Sequence, residues 1–278
     1  MSERIKQPYV GVSGVVSPEM QVSLEKIAIK VDLHKKGRLL ALGIKGVHKT
    51  QFLDVTNKYG PEWYPVGEEA FNQALRNDNP DPNTIAVAQT YFDLDYVGYE
   101  HYREAFLKRI IERGRPWLQA VQFDMLPWDT NDEVLDFIEK VKKQNVGVFL
   151  QVHKNAMESL GPKGVIRRLG HYANSIDYLL FDSSHGTGKR LDVTTLTPFI
   201  AAAYDSLDLS KTGIALAGGL NGQVVREDLP KLVEQYPDIS WDAEGQLHPV
   251  NEDGNRSLDL NIAEDYLRAS SEILSKLY

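Results

Sequence analysis

Eight short apolar, β-branched runs recur along the chain, each followed by a longer segment. They are YVGV (9–12), RLLALGI (38–44), TIAVAQ (84–89), LQAVQF (118–123), VGVFLQV (146–152), DYLLF (177–181), GIALA (213–217) and DISW (238–241). Amphipathic stretches such as EEAFNQAL (68–75), YREAFLKRIIERG (102–114), NDEVLDFIEKVKKQ (131–144) and LDLNIAEDYLRASSEILSKL (258–277) lie between or after them. Strands that are apolar nearly throughout suit a parallel sheet whose outer face is covered by helices. Eight strand–helix units in 278 residues predict an α/β fold, a (β/α)8 TIM barrel forming one domain over 1–278. An open doubly wound sheet is the competing arrangement, but no GxGxxG turn follows the first strand.

Three connections are long: 45–67 after the second strand, 90–98 after the third and 242–257 after the eighth. Each follows a strand, so each is expected at the C-terminal face, where barrels build their sites. Tolerated surface insertion is the plainer reading of any one of them.

Composition narrows the partner. There are 31 basic and 39 acidic residues, a net charge of −8, with no long basic run. That argues against a nucleic-acid or anionic-membrane partner. Cysteine is absent, which removes disulfides, thiolate catalysis and cysteine-ligated metals. No stretch approaches the roughly 18 apolar residues of a membrane span, and the N-terminal segment lacks a signal-peptide core. A cytoplasmic protein is expected, and a homodimer is left open. The histidines lack HExxH or paired spacing, so no metal site is expected.

Two glycine-bearing turns could hold an anion. In DYLLFDSSHGTGKRLD (177–192) a strand delivers Asp182 to its end and glycines follow; IALAGGLNGQVV (214–225) runs from strand through Gly218 and Gly219 into a helix start. Glycine lets backbone N–H groups approach an anion closely, and late barrel strands commonly carry a phosphate this way. Steric convenience at a strand–helix turn is the alternative for each.

These residues resemble the phosphoribosylanthranilate isomerase family. The likeness runs through Gly11-Val12-Ser13-Gly14 in the first turn, Ala41 to Ile44 in the second strand and Ala120-Val121-Gln122-Phe123-Asp124 in the fourth. It continues through Leu180-Phe181-Asp182, His185-Gly186-Thr187-Gly188-Lys189, Ala217 to Leu220, and Asp238-Ile239-Ser240-Trp241. The resemblance implies a cofactor-free barrel that isomerises a small phosphorylated sugar derivative, aldose to ketose. It implies Asp182 as general acid, and a phosphate held by Gly186, Gly188, Gly218, Gly219, Ser240 and Trp241.

Three positions depart from the family pattern. Ser13 stands where the family has its basic cysteine, and an unassisted hydroxyl cannot deprotonate near neutral pH. The segment 59–65, YGPEWYP, lacks the arginine that holds the anthranilate carboxylate. Asp242 replaces a glycine beside the phosphate turn. Candidate replacements for the base are His153, whose imidazole titrates near neutrality, and Asp124; Lys45, His48 and His185 are further strand-end candidates. Trp63 and Tyr64 could cover a substrate or anchor their loop. A barrel that binds or scaffolds without catalysis is the rival reading, resting on the same three departures.

Overall fold

In the computed structural model, eight parallel strands pair in chain order and close on themselves. They are β1 (Tyr9–Ser13), β2 (Leu39–Val47), β3 (Thr84–Tyr91), β4 (Ala120–Asp124), β5 (Gly147–His153), β6 (Tyr178–Asp182), β7 (Gly213–Ala217) and β8 (Ser240–Ala243). The structure describes residues 7–91, 99–124, 131–170, 175–184 and 189–277. Helices α1 (Pro18–Lys30), α2 (His48–Phe52), α3 (Gly67–Leu75), α4 (Tyr99–Gly114), α5 (Asn131–Lys142), α6 (Lys154–Leu169), α7 (Val193–Ser206), α8 (Gly222–Asp228), α9 (Pro230–Gln235) and α10 (Leu260–Leu274) follow their strands. The expected (β/α)8 barrel is therefore the observed fold. Among the described residues no helix is long and apolar enough to cross a membrane.

The alternation of side chains along each strand divides the interior in two. Outward residues such as Val10, Val12, Leu40, Leu42, Val121 and Phe123 pack with helix residues including Leu24, Phe71 and Ile110. Inward residues Tyr9, Leu39, Ile85, Val87, Phe149, Tyr178 and Leu180 fill the lower barrel. Tyr9, Phe149 and Tyr178 form an aromatic floor, with ring centroids 4.6 to 5.4 Å apart. Burying each such side chain contributes about 1.5–3 kcal/mol before entropy is counted. Further along the same inward faces the character changes to polar: Ser13, Lys45, Gln89, Gln122, Gln151, Asp182 and Asp242. The barrel is closed below by hydrocarbon and carries its polar groups above.

Two strand limits differ from those expected and matter for the site. β2 runs to Val47, three residues beyond the expected end, which places Lys45 within the sheet. β8 starts at Ser240 instead of Asp238, because the Ile239 N–H is turned back to the Tyr236 carbonyl. The shift makes Asp242 a strand residue, paired with Gly11 across the β1–β8 seam. Of the three long connections, 45–67 and 242–257 lie within the described residues, and 92–98 of the remaining one lies outside them.

Candidate active site at the barrel mouth

Two glycines open a niche at the seam. A Cβ on Gly11 would stand 2.7 Å from Asp242 Oδ1, and one on Gly43 would stand 2.5 Å from Ser13 Oγ and 2.7 Å from the Gln89 amide. Any other residue at these inward positions would occupy the space of those polar groups, which is why a glycine interrupts each apolar strand. In the niche Ser13 Oγ lies 3.0 Å from both oxygens of Asp242 and donates its proton there. The same hydroxyl accepts from Gln89 Nε2 at 2.6 Å. Its donor and acceptor capacities are both engaged.

From Gln89 a chain of amides crosses the mouth. Gln89 Nε2 reaches Gln122 Oε1 at 3.3 Å, Gln122 Nε2 donates to Gln151 Oε1 at 2.9 Å, and Gln151 Nε2 donates to Asp182 Oδ2 at 3.1 Å. The other oxygen of Asp182 accepts from the backbone N–H and the hydroxyl of Ser184, each at 2.8 Å. Asp242 and Asp182 thus sit at opposite ends of one hydrogen-bonded belt carried by β1, β3, β4, β5, β6 and β8. Both line a cavity of about 260 Å³.

A second polar group adjoins the belt. Lys45 is fully buried, with Nζ 2.7 Å from Glu244 Oε1 and donating to Tyr91 OH at 2.9 Å. Asp124 accepts from Gln122 Nε2 at 3.1 Å through Oδ1, while its Oδ2 is buried with no hydrogen-bond partner. Burial pushes the Asp124 carboxyl up to about 7, against the opposing pull of Lys45. Burial, reinforced by Glu244, also pushes Asp242 up to about 7, although the Ser13 hydrogen bond favours its anion. Two carboxyls at this mouth therefore change charge near neutrality, the range useful for proton transfer.

The long connections after β2 and β8 meet above the niche. Trp63 stacks on His248 with centroids 4.6 Å apart and planes 12° from parallel, and Arg256 lies over the same indole at 5.7 Å. Gly14, at φ +88°, makes the stack possible: a side chain there would collide with both His248 and Trp63. Burial lowers the pKa of His248, whose ring nitrogens face the carbonyls of Glu244 and Gly14.

Several residues singled out in the sequence meet here. Asp182, Gly218, Gly219 and His153 line the cavity, as do Trp63 and Tyr64. His153 also caps α6, its Nδ1 accepting from the Ala156 N–H at 3.3 Å. Ser13 and Asp124 lie behind the lining, held by the contacts above. Gly218 and Gly219 both have left-handed φ, and a side chain at Gly219 would collide with the Lys189 carbonyl, so this turn packs against the segment after β6. Others stand apart. Ser240, at the start of β8, accepts from the Tyr9 N–H at 3.0 Å, and Trp241 points outward, donating to Ser270 Oγ at 3.0 Å. Neither lines the cavity. His48 is buried edge-on to Phe106, at 6.3 Å, outside the cavity wall. His185, Gly186 and Gly188 lie outside the described residues. Among these no group of His, Asp and Glu suited to a metal ion occurs.

The three glutamines were missed in the sequence. Their signal was present: a glutamine near the end of three successive apolar strands, in AVAQTY, AVQFD and VFLQVH. Glutamine is rarely buried without a partner, so its recurrence in core strands points to a shared network.

No family model matches the chain, and no curated protein matches it. Among solved structures it is similar to the tryptophan synthase alpha chain from Legionella pneumophila subsp. pneumophila, at 15% identity over 100% of this chain and 99% of that one, with a TM-score of 0.57. It is also similar to ribulose-1,5-bisphosphate carboxylase/oxygenase from Pyrococcus horikoshii OT3, at 14% identity over 98% of this chain and 59% of that one, TM-score 0.54. A GH18 chitinase from Pseudoalteromonas aurantia aligns at 8% identity over 95% and 99%, TM-score 0.53. At such identities the shared property is the barrel fold.

Proposed function

We propose that the barrel mouth carries out cofactor-free acid/base chemistry on a small sugar derivative, moving a proton next to a carbonyl or imine carbon in an aldose–ketose type isomerisation. Asp242 acts as the base and Asp182 as the acid. The observation that carries this reading is the position of Asp242: it lines the cavity, titrates near 7 and is held by the hydroxyl of Ser13. The family base implied at position 13 is thereby replaced by a carboxylate from β8, whose charge the first-strand turn positions. Ser13 is a positioning residue, because its own proton is committed to Asp242.

The glutamine belt supports a division of labour. It donates to Asp182 at one end and to Ser13 at the other, so each carboxylate is held in place without a lysine or arginine that would neutralise it.

The test is proton exchange. Incubated in D2O with a panel of aldoses, ketoses, amino sugars and their phosphates, the protein should introduce deuterium next to the carbonyl or imine carbon, read by NMR. Asp242→Asn and Asp182→Asn should each reduce exchange by at least about 100-fold. Binding of a panel compound without exchange above the buffer rate would instead favour a barrel that binds without turnover.

A further inference from the structure

We infer that the cavity takes a polyhydroxylated amine in its protonated form, with the ammonium held beside Asp242 and Glu244. This deepens the acid/base reading by naming the ligand class, and it rests on that reading only for turnover. The first ground is charge. Asp182, Asp242 and Glu244 line the cavity, and Asp124 is buried behind its lining, bonded to Gln122. Lys45 is already engaged by Glu244 and Tyr91 behind the wall, and the lining lysine, Lys58, is exposed at the rim against Tyr59. A phosphate requires several charged donors, whereas among the described residues the charges of this lining are three carboxylates against one lysine.

The second ground is a set of unmade hydrogen bonds. Gln89 is 2% exposed and lines the cavity, yet its Oε1 has no partner. Asp124 Oδ2 is likewise a buried acceptor without a donor, and Trp63 Nε1, on the lining, is a buried donor without an acceptor. Buried polar groups are normally satisfied, so such groups at a cavity mark where a ligand or water completes them. Hydroxyls, which donate and accept, can serve both kinds; an ammonium serves the acceptors alone.

The third ground is the aromatic part of the wall. Tyr59, Trp63 and Tyr64 form a continuous aromatic group, with centroids 4.9 to 5.9 Å apart. Aromatic faces attract both cations and the apolar faces of sugar-like molecules. A volume near 260 Å³ suits a ligand the size of one monosaccharide.

Titration calorimetry with N-methyl-D-glucamine, its uncharged counterpart sorbitol, and ribose 5-phosphate decides the matter. Measurements near neutral pH in two buffers of different ionisation enthalpy give the number of protons exchanged. The amine stays protonated there, as aliphatic amines do, so any exchange comes from the protein. We expect the amine to bind with proton release, because a cation beside carboxyls that titrate near 7 favours their ionised forms. Sorbitol should bind roughly tenfold more weakly, and Asp242→Asn, which leaves the buried Lys45–Glu244 pair intact, should weaken the amine by roughly tenfold. Tighter binding of ribose 5-phosphate, with proton uptake, would overturn the inference. So would equal affinity for amine and sorbitol, or no binding of the amine at millimolar concentration. Amine binding without deuterium exchange in any substrate would leave the inference standing and remove the catalytic reading alone.

Discussion

Ser13 and Asp242 are 229 positions apart in the chain, yet the serine hydroxyl lies 3.0 Å from both oxygens of the aspartate. The hydrogen bond favours the ionised carboxylate, burial opposes it, and burial prevails, leaving Asp242 near 7. A proton-abstracting carboxylate at this position works only when ionised. Exchange activity is therefore expected to rise with pH and level off above about 7. In Ser13→Ala the carboxylate loses its closer donor, keeping only Gln89 Nε2 at 3.4 Å, and the midpoint should move upward by about one to two units, since a hydrogen bond to a charged group is worth about 1.5–3 kcal/mol. A pH–rate profile unchanged in Ser13→Ala would rule out the positioning role.

Asp242 also links stability to pH. Its carboxyl holds a proton up to about 7 in the folded protein, whereas the unfolded chain releases it near 3.9. Between those values the folded state binds more protons, so the stability contributed by this group falls as pH rises and is flat above about 7. The loss is of the order of 4 kcal/mol at most. Asp242→Asn should therefore be inactive but more stable than the wild type at about pH 8, and closer to it near pH 4. Urea denaturation at the two pH values checks both signs.

Gln122 bridges three members of the polar network. It donates to Asp124 and Gln151 and accepts from Gln89. Gln122→Leu keeps the apolar volume but leaves those partners buried and unpaired, and should cost about 1–3 kcal/mol in chemical denaturation. Exchange should fall with it, as Asp182 loses its connection to the ordered belt. Wild-type stability in this variant would mean that water replaces the amide.

Gly11→Ala tests the niche directly. Its methyl would stand 2.7 Å from Asp242 Oδ1, so the carboxylate must shift. A cost of about 1–3 kcal/mol is expected from crowding, with a loss of exchange larger than that of equally destabilising substitutions on the outer face of β1. Activity tracking stability alone would refute the niche.

The Trp63–His248 stack joins the two long connections. Trp63→Ala should lower the melting temperature, raise the pKa of His248 by exposing it, and weaken ligand binding through the lost aromatic wall. NMR titration of the His248 ring reads the second effect without reference to activity.

Much of the fold was legible because strand and helix periods are local properties. Eight apolar runs, their spacing and their order sufficed for a closed barrel, and Asp182 could be placed at a strand end from its position in DYLLFD. The β8 limit was not legible, since the backbone turn at Tyr236–Ile239 decides where pairing begins. Reading that strand two residues early left Asp242 in a loop, as an intruding charge beside a phosphate.

The sequence by itself determined which residues alternate inward and outward, and hence that the strand ends would present polar groups at one mouth. Only closure of the barrel decided which of those groups touch. β8 pairs with β1 across the whole chain length, and that pairing turns Ser13 and Asp242 into neighbours and sets Gly11 and Gly43 around them. Facing follows from a two-residue period, which a short window contains; partnership follows from the register between strands far apart in the chain, which no local pattern carries.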